Sequence, residues 1–266
     1  MPGSRLDSAL VERGLARSRT HAARLVADGL VTVDGTAVLK PSVRVSVEAD
    51  VAVAETDSYV SRAAHKLIAA LDGFAVPVAG RLALDAGAST GGFTQVLLER
   101  GAERVIAVDV GHGQLAREVA ADPRVQSYEG VNVRALDRTS LAELTGSERR
   151  PDLVVADLSF ISLTQVLPAL SQVATDDADL VVLIKPQFEV GRQGVREGIV
   201  RDPELRADAI RDVLWAAWDI GLGTAGLIGS PLPGTGGNQE YLAWLDRSAN
   251  DPSALLQPDL LRSLTH

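Results

Sequence analysis

The sequence contains no cysteine, which excludes disulfide bonds and zinc sites built on thiolates. It also lacks long apolar runs. A stretch such as LVVLI at 180–184 is far shorter than the roughly 18 residues that a membrane span needs. The first residues, MPGSRLDSAL, contain no apolar segment like that of a secretion signal. These absences predict a soluble cytoplasmic protein that does not enter a membrane.

Basic residues are in deficit over the whole chain but not at its beginning. The 266 residues carry 26 lysines and arginines against 35 aspartates and glutamates, and the net charge of -9 disfavours a polyanionic partner. Residues 1–24, however, hold five arginines and two acidic residues, Asp7 and Glu12. Contacts with a nucleic acid are therefore expected in this segment.

The first 54 or so residues show the pattern of a small separate domain. Two segments with helical apolar spacing each end in glycine, and Ser18 is placed to cap the second. LVTVDGTAVLKP then alternates around Asp34-Gly35, which predicts a β-hairpin. By themselves, the arginines on these helices fit a solvated surface as well as a binding surface.

The same region resembles the S4 RNA-binding domain. The similarity lies in Arg5-Leu6-Asp7, Gly14-Leu15-Ala16, Ser18-Arg19 and the run Gly29-Leu30-Val31-Thr32-Val33-Asp34-Gly35. The resemblance implies that four arginines face RNA phosphates: Arg5, Arg17, Arg19 and Arg24. Contacts of that kind position RNA without reading its sequence.

From about residue 59 onward, apolar strands alternate with helices. VIAVDV at 105–110, DLVVADLS at 152–159 and DLVVLIKP at 179–186 are apolar runs bounded by turn residues. Strands of this kind, separated by helices, predict a mostly parallel sheet covered on both faces. We therefore expect an α/β, Rossmann-like domain over residues 59–266, preceded by a small α+β domain over residues 1–58.

The segment LALDAGASTGGFTQVLLERG at 82–101 predicts a strand, a glycine-rich turn and a helix, the usual cradle of a nucleotide-like cofactor. It is no dinucleotide fingerprint, because Ser89 replaces the second glycine, and no P-loop, because Phe93 stands where a lysine is needed. Asp85 would repel a pyrophosphate, although it also fits a simple helix cap. S-adenosylmethionine has a sulfonium and ribose hydroxyls but no phosphate, and Asp109, at the end of the second strand, is placed to accept from those hydroxyls.

Further polar residues follow the strand ends, where ligands bind in open α/β sheets. Asn132 follows the third strand and is expected near the adenine, while Asp157 and Lys185 end the fourth and fifth strands. Glu240 begins a last strand that we expect to run antiparallel beside the fifth, and Lys66 lies on the helix before the first strand. The sequence thus predicts two amines and two carboxylates at one edge of the sheet. Any one such lysine also fits a structural ion pair or a side chain that reaches to solvent.

Lysine, aspartate, lysine and glutamate in this arrangement resemble the catalytic set of the FtsJ-like ribose 2'-O-methyltransferases. Five motifs extend the resemblance to the TlyA family of bacterial rRNA 2'-O-methyltransferases, also called haemolysin A-like proteins: DAGASTGGFT, VDVGHGQL, VVADLSFISL, LIKPQFEVG and SPLPGTGGNQEY. The resemblance implies catalysis by Lys66, Asp157, Lys185 and Glu240. It implies S-adenosyl-L-methionine as the cofactor, bound by Asp85, Gly87, Ser89, Gly91, Asp109 and Asn132.

The resemblance also implies a substrate, namely cytidine riboses in 23S rRNA and, for the longer members of the family, in 16S rRNA. The expected partner is therefore ribosomal RNA or a ribosomal subunit, and we expect a monomer without a metal ion. One departure concerns the interdomain linker. Asp57-Ser58-Tyr59-Val60 stands where the long form of the family often has Arg-Ala-Trp-Val.

The sequence leaves two versions of the chemistry open. In one, Lys185 is the base that takes the proton of the ribose hydroxyl, which requires the neutral amine; burial and a nearby cation favour that form, and carboxylates oppose it. In the other, the four groups only align the ribose oxygen. Phe160 either stacks on a base or packs in the core. The charged, glycine-rich segment 187–203 is either a substrate loop or a surface loop without function.

Three other functions are alternatives at this point. A NAD-dependent dehydrogenase is disfavoured by the failed glycine fingerprint. A haemolysin-like pore-forming or membrane-active protein is disfavoured because the sequence shows neither a secretion signal nor a membrane segment. A catalytically silent ribosome-binding module is disfavoured by the complete set of two lysines and two acids.

Overall fold

The structure is a computed structural model, and its chain divides into an N-terminal unit, Met1–Tyr59, and a C-terminal unit, Val60–His266. The residues that the structure describes are 3–16, 18–27, 29–53, 59–191, 194–195, 197–234 and 236–265, with only the backbone of Arg24. Arg17 and the side chain of Arg24, both expected at the RNA surface, therefore lie outside the described part of the chain.

The N-terminal unit consists of two helices and short antiparallel strands around a small apolar core. Its elements are β1 (Ser4–Arg5), α1 (Leu6–Glu12), α2 (Arg19–Ala27), β2 (Val31–Val33), β3 (Thr36–Ala37), β4 (Arg44–Val45) and β5 (Val51–Val53). The hydroxyl of Ser18 accepts a hydrogen bond from the amide of His21, which confirms the predicted helix cap. The expected hairpin is also present, because β2 pairs with β3 across Asp34 and Gly35, whose φ angles are 49° and 77°.

The C-terminal unit contains a seven-stranded sheet. Its strands are β6 (Leu82–Ala86), β7 (Arg104–Asp109), β8 (Val125–Glu129), β9 (Leu153–Ala156), β10 (Asp179–Ile184), β11 (Gly223–Gly229) and β12 (Tyr241–Asp246). Their spatial order is β11-β12-β10-β9-β6-β7-β8. β12 runs antiparallel to β10 and β11, and the other pairings are parallel. The last strand is therefore inserted beside the fifth strand, β10, as the sequence predicts.

Helices cover both faces of this sheet. They are α3 (Ala63–Phe74), α4 (Gly92–Glu99), α5 (Arg117–Ala120), α6 (Arg138–Thr145), α7 (Leu167–Val173), α8 (Pro186–Glu189), α9 (Pro203–Asp219) and α10 (Pro258–Thr265). Because side chains alternate along a strand, Leu84 of β6 packs into the apolar cluster that contains Ile210 of α9. The next residue, Asp85, faces the opposite way and contacts Thr94 of α4. No helix in the described residues combines the length and apolar character required to cross a bilayer.

The strand register brings four chain segments to one edge of the sheet. Ala156 at the end of β9 pairs with Ala86 of β6 and with Val182 of β10. Ile184 at the end of β10 pairs with Tyr241 at the start of β12. β6 has β7 on one side and β9 on the other, so the order of the strands along the chain reverses there. Crevices at such a reversal are where open α/β sheets bind ligands.

Candidate active site

The glycine-rich turn after β6 is held close to the neighbouring loops. A Cβ atom on Gly87 would lie 2.6 Å from the carbonyl oxygen of Asp157, so only glycine fits this approach. Ser89 has a φ of 47°, and its amide donates a 2.8 Å hydrogen bond to Asp109. The amide of Gly111 donates to the other oxygen of Asp109 at 2.7 Å. Two backbone amides thus fix the carboxylate at the end of β7.

A cavity of about 480 Å³ opens beside this turn. Gly87, Ser89, Asp109 and Asn132 line it, which are four of the six residues expected to bind the cofactor. Apolar side chains, Ile161 among them, line it as well. A carboxylate and an amide in a largely apolar cavity of this size are typical of a small-molecule site.

The other two expected cofactor residues lie outside this wall. Asp85 is fully buried, accepts a 2.6 Å hydrogen bond from the hydroxyl of Thr94, and does not line the cavity. Burial raises the pKa of Asp85 to about 7, the hydrogen bond from Thr94 opposes that shift, and the charge of Asp157 adds to it. Gly91 has a φ of 94° and is the N-cap residue just before α4, where a Cβ would lie 2.7 Å from the side chain of Leu115. A pyrophosphate in the cavity would therefore be repelled by the carboxylate of Asp109, which lines it, and not by Asp85 as expected from the sequence.

A second cavity, of about 140 Å³, adjoins the first. Its lining includes Ser61, Phe93 and Lys185, and it shares four residues with the larger cavity: Gly87, Ser89, Asp157 and Ser159. Asp157 and Ser159 thus stand where the two cavities meet. A group bound in one cavity would lie beside a group bound in the other.

Lys185 and Asp157 form an ion pair at this junction. The lysine Nζ lies 2.6 Å from the Oδ1 atom of Asp157 and donates a 3.0 Å hydrogen bond to the hydroxyl of Ser159. Both charged side chains are largely buried. Sequence reasoning missed Ser159, although its position two residues after Asp157 places it at the same strand end.

Lys66 and Glu240 form a second, more deeply buried ion pair. The lysine Nζ lies 2.5 Å from the Oε2 atom of Glu240, and the two side chains are 9% and 2% exposed. Since Tyr241 pairs with Ile184, Glu240 lies next to Lys185 at the edge of the sheet. The chain has three lysines, and two of them are in these pairs. The structure thus brings the four expected groups to one edge as two ion pairs.

Phe160 has an unusual position beside this edge. Its side chain is 92% exposed, so it does not pack in the core, and its φ of 65° is strained for a residue with a side chain. The ring contacts Phe188 at a centroid distance of 5.3 Å and an interplanar angle of 48°. The segment 187–203 begins within α8, so its first residues are helical and not loop as expected.

In the N-terminal unit, two of the expected RNA-binding arginines share one acid. Arg5 donates two hydrogen bonds to Asp7, at 3.0 and 2.8 Å, and Arg19 contacts the same carboxylate at 3.3 Å. These arginines hold the pKa of Asp7 well below its usual range. Arg13 instead donates to the backbone carbonyls of residues 46, 47 and 49. The shared acid orders Arg5 and Arg19, which remain 47% and 63% exposed.

Comparison with known protein families identifies both parts of the chain. Residues 59–247 match the model of the FtsJ-like methyltransferases. The chain belongs to this family. Residues 4–51 match the S4 domain, which confirms the resemblance of the N-terminal region. An FtsJ-like methyltransferase with an S4 domain leaves the dehydrogenase alternative without support.

Several relatives of this FtsJ-like methyltransferase are similar over most of their length. One from Mycobacterium tuberculosis, named 16S/23S rRNA (cytidine-2'-O)-methyltransferase TlyA, is 52% identical over 91% of this chain and 89% of its own. A relative from Brachyspira hyodysenteriae, named Hemolysin A, is 36% identical over 90% of this chain and 98% of its own. A solved structure from Streptococcus thermophilus, also named as a hemolysin, has a TM-score of 0.77 and 36% identity and covers 99% of this chain and 96% of its own. The resemblance to the TlyA family is therefore confirmed.

Proposed function

We propose that this FtsJ-like methyltransferase transfers a methyl group from S-adenosylmethionine to the 2'-oxygen of a cytidine ribose in ribosomal RNA. The observation that carries the proposal is the ion pair of Lys185 and Asp157 where two cavities meet, one suited to a cofactor and one open to a substrate group. The M. tuberculosis relative is named for cytidine 2'-O-methylation of 16S and 23S rRNA, and a Campylobacter jejuni relative, 33% identical over 70% of this chain, for that of 23S rRNA. These names support 23S rRNA as the substrate, with 16S rRNA as a second.

The donor set of the larger cavity fits S-adenosylmethionine. The Asp109 carboxylate already accepts from two backbone amides, and a carboxylate has about four acceptor positions, so two remain for ribose hydroxyls. Asn132, whose Oδ1 accepts from the amide of Arg134, has a side-chain NH2 group that would serve as a donor to the adenine. When bound, the cofactor would supply a methyl group on a positively charged sulfur. The wall of the cavity holds the carboxylates of Asp109 and Asp157 and the guanidinium of Arg134, so its acids outnumber its bases, which suits such a ligand.

The residues at the junction orient the ribose hydroxyl. Lys185 is ion-paired with Asp157 and donates a hydrogen bond to Ser159, so an oxygen that enters the smaller cavity meets donors and acceptors in fixed positions. Fixed geometry of this kind accounts for a large part of the rate of many enzymes, with effective molarities of about 10⁵–10⁸ M in model reactions. The Lys66–Glu240 pair lines neither cavity. We propose that it helps to hold Lys185 in position from the neighbouring strand, β12.

The ion pair bears on the two versions of the chemistry. A protonated lysine has three donors and no lone pair, so it holds an oxygen but accepts no proton. With Nζ of Lys185 at 2.6 Å from a carboxylate, we propose that the lysine first acts as an aligning cation. The proton of the hydroxyl leaves late and passes to solvent water once the 2'-oxygen has taken the methyl group.

Ribosomal RNA would be bound by both units. Sequence-specific RNA recognition often uses unstacked bases on aromatic side chains, and the exposed ring of Phe160 offers such a platform next to Asp157. Arg5 and Arg19, ordered by Asp7, provide guanidinium groups for phosphates in the N-terminal unit. We propose that Arg17 and Arg24 also bind RNA phosphates.

Two lysine variants test the proposal. Lys185→Ala is expected to abolish methyl transfer to rRNA while calorimetry still shows S-adenosylmethionine binding, because Lys185 contacts the substrate side of the junction. Lys185→Arg keeps the cation but does not lose a proton near neutral pH, so partial turnover of this variant supports alignment, and complete loss supports a base. Full turnover of Lys185→Ala would refute the role of the lysine.

The substrate is tested separately. Blocked 2'-positions are mapped in 23S and 16S rRNA from cells with and without the protein, and cytidine positions lost in its absence identify the targets. An unchanged map would refute rRNA as the substrate.

A further inference from the structure

The segments that follow β9 and β10 are joined at three successive points. Lys185 contacts Asp157 and Ser159, Phe188 contacts the ring of Phe160, and Glu189 bonds to residues 162 and 163. The first two contacts belong to the site described above. The third lies behind them and has no place in the chemistry of the proposed reaction.

Glu189 ends α8 and reaches across to the segment after β9. One carboxylate oxygen accepts a 2.5 Å hydrogen bond from the hydroxyl of Ser162, and the other accepts a 2.9 Å bond from the amide of Leu163. The Ser162 hydroxyl also contacts that of Thr164 at 2.7 Å. The Glu189 carboxylate is partly buried, and burial raises its pKa, while the hydrogen bonds from Leu163 and Ser162 oppose that shift. A partly buried carboxylate whose two oxygens both accept hydrogen bonds from one neighbouring segment is a specific structural contact and not a solvated surface charge.

The segment that Glu189 holds is strained. Phe160 lies two residues before Ser162 and has a φ of 65° with an almost fully exposed ring. A conformation of this kind is unfavourable for a residue with a side chain and persists only where the surrounding structure enforces it. On the far side of Phe160, the amide of Asp157 donates to the carbonyl of Ala86 at 3.1 Å, so the segment is fixed there by the sheet. Glu189 fixes the other end.

We propose that Glu189 is a positioning residue that keeps Phe160 in its exposed conformation and thereby places the target base and ribose against Asp157 and Lys185. This inference rests on the proposed function, because the positioned groups are those of the RNA site. Glu189 touches no reacting atom. Its effect passes through Ser162 and Leu163 to the strained turn.

Three variants test the proposal on the full chain. Glu189→Ala removes both acceptors and is expected to lower kcat for rRNA methylation by up to about 100-fold, the scale of a misplacement near 1 Å, while the Kd of S-adenosylmethionine stays unchanged. Glu189→Gln is expected to rescue most of the activity, because its amide oxygen still accepts from Leu163 and its amide nitrogen donates to Ser162. Glu143→Ala, which removes an exposed carboxylate from α6, is the matched control and is expected to leave kcat unchanged.

Hydrogen exchange gives a second readout that needs no activity. The amide of Leu163 is expected to lose protection in Glu189→Ala and to keep it in Glu189→Gln. If the wild type does not methylate rRNA but the exchange result holds, the proposed function fails while the positional role of Glu189 stands. Full turnover of Glu189→Ala, equal loss in Glu189→Gln, or loss of cofactor binding together with turnover would overturn the inference.

Discussion

Asp85 gives the stability of the protein a specific dependence on pH. The carboxyl group is fully buried between β6 and α4, and burial raises its pKa to about 7 in the folded protein, against an ordinary value of 3.8. Because the pKa is higher in the folded state, the folded protein holds the proton where the unfolded chain has lost it. The protonated carboxyl therefore contributes its full stability below about pH 4, and the protein loses this stability as the pH rises from about 4 to about 7. Above about pH 7 the group is ionised in both states, and the loss levels off.

The magnitude follows from the two pKa values. A difference of about three pH units corresponds to about 4 kcal/mol in total, of which about 3 kcal/mol falls between pH 5 and pH 8. Asp85→Asn has no proton to lose, so its free energy of unfolding relative to the wild type is expected to increase by about 3 kcal/mol over that interval. Urea unfolding of both proteins, followed by circular dichroism at several pH values, measures the difference.

Two controls make this test specific. Thr94→Val removes the hydrogen bond that lowers the pKa of Asp85, so the pH dependence is expected to extend above pH 7. Asp219→Asn removes an exposed carboxylate and is expected to give the same difference from the wild type at every pH. A difference between Asp85→Asn and the wild type that does not change from pH 5 to pH 8 would show that Asp85 is ionised like an ordinary aspartate, and the reasoning would be refuted.

Three further predictions concern other charged and aromatic groups. Lys66→Met leaves Glu240 buried without its cation and is expected to lower the free energy of unfolding by about 3–5 kcal/mol in urea titrations, and a second change, Glu240→Leu, is expected to recover most of that loss. Phe160→Gly is expected to change stability by less than about 1 kcal/mol, since relief of its φ angle offsets the freedom of glycine. It should weaken RNA binding by roughly 5- to 150-fold, the value of one stacked base. Asp7→Asn is expected to weaken RNA binding in a filter assay with no change in cofactor affinity. Because the pKa of Asp7 is lowered in the folded protein, the wild type loses stability as the pH falls below the usual aspartate range, and the variant is expected to lack this acid dependence.

Much of the site was predictable because strand ends are marked locally in the sequence. Apolar runs that stop at Asp109, Asp157 and Lys185 predict strands whose carboxyl ends meet at one edge, and the register of the sheet confirms this. Ser159 and Glu189 were missed. Ser159 had a signal, its position beside Asp157. Glu189 had no such signal in the sequence, because its partners lie in the segment after β9, far from Glu189 along the chain.

The sequence alone determined the alternation of strands and helices, the glycine that lets two loops approach at Gly87, and the residues that end each strand. These depend on periodicity and backbone freedom, which act over a few neighbouring residues. The tertiary structure alone decided that Lys66 pairs with Glu240, 174 positions away, that Asp85 turns from the cavity towards Thr94, and that Phe160 is exposed. These outcomes depend on distances between residues that are far apart in the sequence. Such distances are fixed only when the strands have packed into the sheet in one register.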